Sequence, residues 1–335
     1  MRAPRGRPHV DHVAHVLESL TPTSWPAEVD DVVAGDLSVM FATVTPARGV
    51  VLTPFANIAL VDRGAGTVTI TTSLGLWGKL ERIQRNPRVA LAFHTRANGA
   101  SERPEYVLLQ GEASFSWVPD RSWLESIGDN WESHLDTRRQ GRAWDWWLSV
   151  YHWERVGIEI KVARTVVWPD LDCAGPPAVH GPELPGPAPA QRPPARGTGS
   201  RINHARAAAR IRRLPHTLLG WVGADGLPMV VPVGLRGANP LGILLEAPPD
   251  VVPPGGRRAG LTAHWCGARV IGHEQRAHTG WLEPETERLL LYAPHTKNGY
   301  RLPPSTPLVR AATGFATRRG FRAGRRAGVL TAQPR

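Results

Sequence analysis

The residues best placed to do chemistry lie in one stretch, TTSLGLWGKLERIQRNPRV, Thr71 to Val89. Thr72 and Ser73 end a β-branched run and offer two hydroxyl donors. Leu74 to Gly78 form a turn that opens a short helix, whose free N–H groups favour a negative charge. Lys79 lies one turn in and can reach back toward the hydroxyls as a compact point charge. The chain holds three lysines, Lys79, Lys161 and Lys297, against 37 arginines, so lysine is not its default cation. An ammonium suits one oxygen in a tight corner, whereas a guanidinium suits bidentate contact. The stretch therefore reads as an anion site with phosphate as its natural guest. The competing reading is an ordinary N-capped helix carrying a solvated lysine.

Other side chains with chemical potential are more scattered. His94 stands at a strand end, where acid–base work or plain solvation are both open to it. His9, His12 and His15 recur at three-residue spacing but lack a nearby carboxylate or cysteine, so a solvated helix is expected rather than a metal face. Cys173 and Cys266 have no paired ligand spacing, which argues against zinc or a disulfide and for a reducing, cytoplasmic setting. The polar stretch YAPHTKNGY, Tyr292 to Tyr300, brings His295, Lys297 and Tyr300 together as a second small ligand site or a surface loop. No residue identifies itself as catalytic.

The elements that must position the motif read mostly as strands. Leu37–Thr45 and Val50–Phe55 flank the turn Pro46–Gly49, and Ile58–Val61 and Thr67–Thr72 flank Asp62–Gly66, giving two hairpins. A helix over Trp77–Arg85 ends at Asn86-Pro87, since proline cannot continue it. Arg88–His94, Tyr106–Trp117 and Val156–Trp168 are further strands. Trp123, Ile127, Trp131 and Leu135 recur every four residues on one helical face, and Trp144, Trp147, Leu148 and Tyr151 continue after Gly141. That spacing favours packing over ligand stacking for the tryptophans.

At 335 residues the length suggests about two domains. Residues 173–200, with eight prolines, read as an extended linker that forms neither helix nor ladder. Charge divides there too: residues 1–172 carry 18 basic and 21 acidic side chains, residues 173–335 carry 22 and 8. The basic excess lies in a helix near Arg201–Arg213 and in the tail Arg310–Arg335, read as a disordered arm. Nucleic acid is a secondary reading for these arms. No apolar run approaches the roughly 20 residues of a membrane span. The second half echoes the first: Val222–Pro232 follows Val44–Pro54, and Arg257–Glu283 follows the strand pair after Pro87, but nothing there matches the lysine loop.

The longer pattern, a strand ending Thr71-Thr-Ser73, a turn, Lys79, then Asn86-Pro87-Arg-Val89 opening a strand, resembles the pyridoxamine 5′-phosphate oxidase superfamily of FMN-binding split β-barrels. The resemblance covers roughly Ala34 to Pro169, with the second half as a degenerate repeat. It implies a mainly β fold of two tandem split β-barrel domains. The expected order is an N-terminal helix or arm over 1–33, a flavin-binding barrel over 34–172, the linker over 173–200, a degenerate second barrel over 201–309, and a basic tail over 310–335.

The resemblance also implies a cofactor site. Ser73 and Lys79 would hold the FMN phosphate, with Trp77 and Gly78 beside them and Thr72 in the neighbouring position. Tyr106 falls where the family often has a glutamine near the flavin ring. Asn57 falls where pyridoxamine oxidases have a phosphate-binding arginine, and Asp62 where they have a lysine. The family's substrate stretch is replaced by tryptophan-rich helices between Asp120 and Trp153, and its arginine/histidine cluster has no match in Ile158–Pro169. Pyridoxamine phosphate oxidation is therefore not expected. The implied function is an FMN-dependent oxidoreductase of unknown substrate, with the deazaflavin F420 as alternative cofactor and a non-enzymatic flavin or F420 binder as alternative role. The site would form between two barrels, either within one chain or in a homodimer.

Overall fold

The computed structural model describes residues 20–57, 60–134, 138 and 140–330. The histidines at 9, 12 and 15, Leu135 and the last five residues lie outside them.

The first half forms an antiparallel sheet from β1 (Ser38–Val44), β2 (Val50–Ala56), β3 (Leu60–Asp62), β4 (Thr67–Ser73), β5 (Arg88–Phe93), β6 (Tyr106–Phe115), β7 (Arg155–Trp168) and β8 (Ala178–His180). Its order is β2-β1-β5-β6-β7-β4-β3, with β8 added to β7. The second half supplies β9 (His216–Val222), β10 (Pro228–Pro232), β11 (Gly234–Asn239), β12 (Gly242–Glu246), β13 (Arg257–Trp265), β14 (Glu274–Pro284), β15 (Leu289–Pro294) and β16 (Asn298–Arg301). Their order, β10-β9-β13-β14-β15-β12-β11, repeats the first sheet strand for strand. The fold is mainly β: two tandem split β-barrel domains with helical covers.

Strand β1 shows why alternation is weak in this sequence. All seven of its residues are buried. Val39 and Phe41 enter the core of the first barrel. Met40, Ala42 and Val44 face the other way, into a second apolar layer shared with Leu218, Val222 and Val230 of the second barrel. A strand covered on both faces has no polar side to display.

Helix α1 (Ala27–Gly35) buries Val29, Val32 and Val33 at helical spacing against the first core. Helix α2 (Gly78–Arg85) follows a single 3₁₀ turn at Leu74–Leu76. The tryptophan-rich region is four short helices rather than long continuous ones: α3 (Arg121–Ser126), α4 (Gly128–His134), α5 (Arg142–Trp147) and α6 (Ser149–His152). Helix α7 (His204–Ile211) is capped by the Asn203 side chain and packs Ala207, Ala208 and Ile211 into the second core.

Two expectations are corrected. The proline-rich segment does join a ladder, because Ala178-Val179-His180 is free of proline between Pro177 and Pro182 and pairs with Val167–Thr165 of β7. The tail expected as a disordered arm is α8 (Thr306–Arg326), a 21-residue helix opened by proline in its first turn. Its glycines made it read as unstructured, yet they are what lets it dock. A Cβ at Gly320 would stand 1.9 Å from the Gly75 carbonyl oxygen, and one at Gly314 would stand 2.2 Å from Trp147 Nε1. Among the described residues no helix is long and apolar enough to cross a membrane.

The barrels meet through reciprocal contacts. The hairpins β1–β2 and β9–β10 have equal connections, so Val44 corresponds to Val222 and Leu52 to Val230. Carrying the register on through β5, β6, β13 and β14 makes Tyr106 correspond to Gln275, and His94 to His264. Tyr106 Oη donates to Val230 O at 2.7 Å, and Gln275 Nε2 donates to Leu52 O at 3.1 Å. Equivalent groups thus make equivalent bonds in both directions, as across a two-fold axis.

Candidate functional site

A cavity of about 570 Å³ opens between the barrels, within the range of small-molecule and cofactor sites. The first barrel contributes the end of β2, Thr71–Ser73 from β4, Lys79 and Arg82 from α2, and Arg155 from the start of β7. The second contributes His273, Gln275, His278 and Tyr300, and α8 closes one side with Thr313 and Thr317.

The motif folds as a strand end, a 3₁₀ turn and a helix. Ser73 caps the 3₁₀ turn by accepting from Gly75 N at 3.1 Å, and its hydroxyl donates to Val150 O at 2.9 Å. That pins the strand end to α6. The chain then turns into α2, whose first turn carries Lys79. The Lys79 ammonium lies 3.7 Å from the centroid of the Phe55 ring. Burial, and after it the neighbouring Arg155 and Arg82 charges, bring its pKa down from 10.5 to about 7. Arg155 donates to Thr71 Oγ1 at 2.6 Å and to Tyr151 O at 3.2 Å, and its guanidinium stacks 4.6 Å from Trp131.

Among the described residues no aspartate or glutamate lines the cavity, whose cations are Lys79, Arg82 and Arg155. Buried charge without compensation is costly, and an anion entering here would relieve it. Thr72 Oγ1 is buried and has no hydrogen-bond partner. The cationic corner passes into an apolar wall of Val51, Leu52, Pro54, Phe55 and Ala277, then into the neutral polar groups of the second barrel. A cofactor with a phosphate at one end and a flat ring system fits this sequence of surfaces.

The predicted site residues divide. Thr72, Ser73 and Lys79 line the cavity together. Trp77 does not; its Nε1 donates to Gly320 O at 3.1 Å and holds α8 in place. Gly78 only opens α2, and a Cβ there would meet nothing. Asn57 does not line the cavity: it is fully buried, and its amide donates to Val33 O and Asp36 O, tying down the end of α1. Tyr106 does not line the cavity either. Its hydroxyl is spent on Val230 across the barrel interface, and the glutamine expected at that position stands instead at the equivalent residue Gln275, which does line the cavity. Asp62 Oδ1 accepts from Ala65 N within its turn. His295 bonds Thr198 O and Lys297 is exposed, whereas Tyr300 enters the cavity, so that trio is not brought together.

Arg82, Arg155, His273, Gln275 and His278 were missed. Arg82 follows Lys79 by three residues, and helical spacing could have found it. Nothing local marks Arg155 or His273, and Tyr300 was marked only as part of a separate polar stretch. In the second barrel, the register places Glu246-Ala247-Pro248 opposite Thr71-Thr72-Ser73, so the hydroxyls are gone and a carboxylate replaces them. The second barrel therefore has no counterpart of the Thr71–Ser73 hydroxyls.

No family model matches the sequence, and no curated protein matches it. Several solved structures are similar in part. A conserved hypothetical protein from Mycobacterium tuberculosis is 22% identical over 46% of this chain and 89% of its own, with a TM-score of 0.32. A protein related to general stress protein 26, of the pyridoxinephosphate oxidase family, from Clostridium acetobutylicum is 14% identical over 45% and 90%, with a TM-score of 0.32. An F420 reductase is 17% identical over 42% and 98%, with a TM-score of 0.31.

Proposed function

We propose that this chain binds FMN in the cavity between its barrels and acts as a flavin-dependent oxidoreductase. One observation carries the reading: a cavity with no acidic side chain among its described lining residues, where Lys79, Arg82 and Arg155 gather beside the unpartnered Thr72 hydroxyl. Lys79 and Thr72 would hold the phosphate, with Arg82 and Arg155 supplying the remaining positive charge. Ser73, already bonded to Val150, would set the shape of the turn. The apolar wall of Leu52, Pro54 and Phe55 would orient the ring and exclude water. When bound, the flavin supplies hydride or single-electron chemistry that no side chain here can perform.

F420 carries the same phosphate-to-ring order and is the alternative cofactor. A binder without turnover is the alternative role. Purified protein incubated with FMN or with F420, then desalted, distinguishes them. A retained absorption band near one-to-one stoichiometry is expected for the right cofactor, and Lys79→Ala is expected to abolish it while the far-UV circular dichroism stays unchanged. Protein that retains neither cofactor would overturn the proposal. Oxidation of the reduced, loaded protein by candidate acceptors then separates enzyme from carrier.

A further inference from the structure

Four buried or half-buried histidines lie where the barrels meet. His94 and His264 occupy equivalent positions in the two barrels, and their Nε2 atoms are 2.6 Å apart. They therefore sit on the approximate two-fold axis itself. His216 packs 5.4 Å from the His264 ring. On the other side, the His273 ring centre is 6.2 Å from that of His264, and Tyr300 Oη is 3.2 Å from His273 Nδ1. Tyr300 and His273 line the cavity. His94 and His216, with Thr95, line a separate cleft of about 630 Å³. His264 is fully buried between the two.

Hydrogen-bond polarity orients this row. His94 Nδ1 is 3.0 Å from Ala92 O, and a carbonyl can only accept, so the His94 proton is on Nδ1. Its Nε2 must then accept from His264 Nε2–H, which leaves His264 Nδ1 as a bare acceptor. That atom is buried and unpartnered. At the other end Tyr300 Oη and His273 Nδ1 share a hydrogen bond whose direction follows the tautomer; the path takes the hydroxyl as donor, which puts the His273 proton on Nε2. That atom is also buried and unpartnered. With that tautomer the two orphans are a donor and an acceptor on neighbouring rings.

We propose that Tyr300 and His273 form the acid–base couple of the cavity, and that His264 and His94 carry its proton through the barrel interface to the cleft beside His216. The proposal rests on the redox reading, because hydride transfer from an alcohol or amine to a flavin-class acceptor releases a proton. The substrate proton passes to Tyr300 Oη as the phenolic proton moves to His273 Nδ1. The proton on His273 Nε2 moves to His264 Nδ1, and that on His264 Nε2 moves to His94 Nε2. His94, briefly an imidazolium, releases one proton to the cleft. Reduction of a carbonyl or imine runs the same atoms in reverse. Between His273 and His264 the transfer proceeds by ring rotation or through one water. Burial, the first cause in each case, holds His94 down at about 3 and His273 at about 4. The row therefore carries no standing charge. Lys79 faces His273, and Tyr151 and Cys266 face Tyr300.

Two experiments on the full chain test this. The first uses cofactor-free protein labelled with ¹⁵N-histidine, with long-range ¹H–¹⁵N spectra at pH 7 assigned by single His→Gln variants. His94 protonated on Nδ1, with His264 and His273 on Nε2, is expected, and Tyr300→Phe should change the His273 tautomer balance. The opposite tautomer at His264, or a His273 indifferent to Tyr300→Phe, overturns the path. The second mixes dithionite-reduced, FMN-loaded protein with menadione. Tyr300→Phe should slow reoxidation roughly 10²-fold, and His264→Gln should slow it and alter its pH profile and solvent deuterium isotope effect, with FMN still bound. An unchanged profile in His264→Gln also overturns the path. Failure to bind FMN would count against the flavin reading alone, because the tautomers are read without cofactor.

Discussion

Lys79 is the residue on which binding and stability meet. Its pKa is about 7 in the folded chain against about 10.5 when unfolded. Between those values the unfolded chain binds more protons, so stability of the cofactor-free protein should rise as pH climbs from 7 to 10.5. Below pH 7 the buried ammonium costs on the order of 3–5 kcal/mol, partly offset by the Phe55 face. Lys79→Met should therefore stabilise cofactor-free protein against urea at pH 6, with the gain fading by pH 10. A phosphate reverses the preference by favouring the ammonium. FMN affinity should fall as pH rises above 7, by up to about tenfold per unit, and calorimetry in buffers of different ionisation enthalpy should detect proton uptake. An affinity flat from pH 6 to 9 would show that Lys79 does not meet the phosphate. The lysine itself was legible because it is rare and sits behind two hydroxyls. Its neighbour Arg155 was not, since it arrives from a distant strand.

At the scale of elements, α8 and the turn before α2 depend on each other. Gly75 and Gly320 bring two backbones into contact: a Cβ at Gly75 would lie 2.4 Å from Thr317 O. Gly75→Ala or Gly320→Ala should cost roughly 1–3 kcal/mol and weaken FMN retention, because α8 walls the cavity with Thr313 and Thr317. Gly78→Ala, whose Cβ meets nothing, should leave thermal stability equal or slightly raised, since alanine favours a helix. Equal melting temperatures for all three variants would mean that α8 does not dock there. The strands, their hairpins and α2 follow from local pattern and turn chemistry. The docked tail does not, because its glycines look like breakers until the surface they fit is known. Arg318 likewise reads as tail charge, yet donates to Trp147 O and stacks 4.3 Å from the Trp146 ring.

For the whole molecule, the barrel interface is both core and site. Its apolar layer draws on both halves of the chain, so residues 20–172 produced alone should expose Met40, Val44 and Leu108, associate in size-exclusion chromatography, and retain no FMN. Tyr106→Phe should destabilise the full chain by about 1–2 kcal/mol, leaving Val230 O unpaired, without altering FMN affinity; a changed affinity would return Tyr106 to the site. The sequence by itself determined the strands and hairpins of the first half, helix α2 and the echo of one half in the other, because period, turn residues and a strand-to-helix step are encoded within a few residues. Only the tertiary structure decided that the second barrel supplies the other wall, that Tyr106 serves the interface while Gln275 faces the cavity, and that His94 meets its own counterpart His264. Those outcomes depend on how two similar sheets are placed face to face, and no local run of residues carries that information.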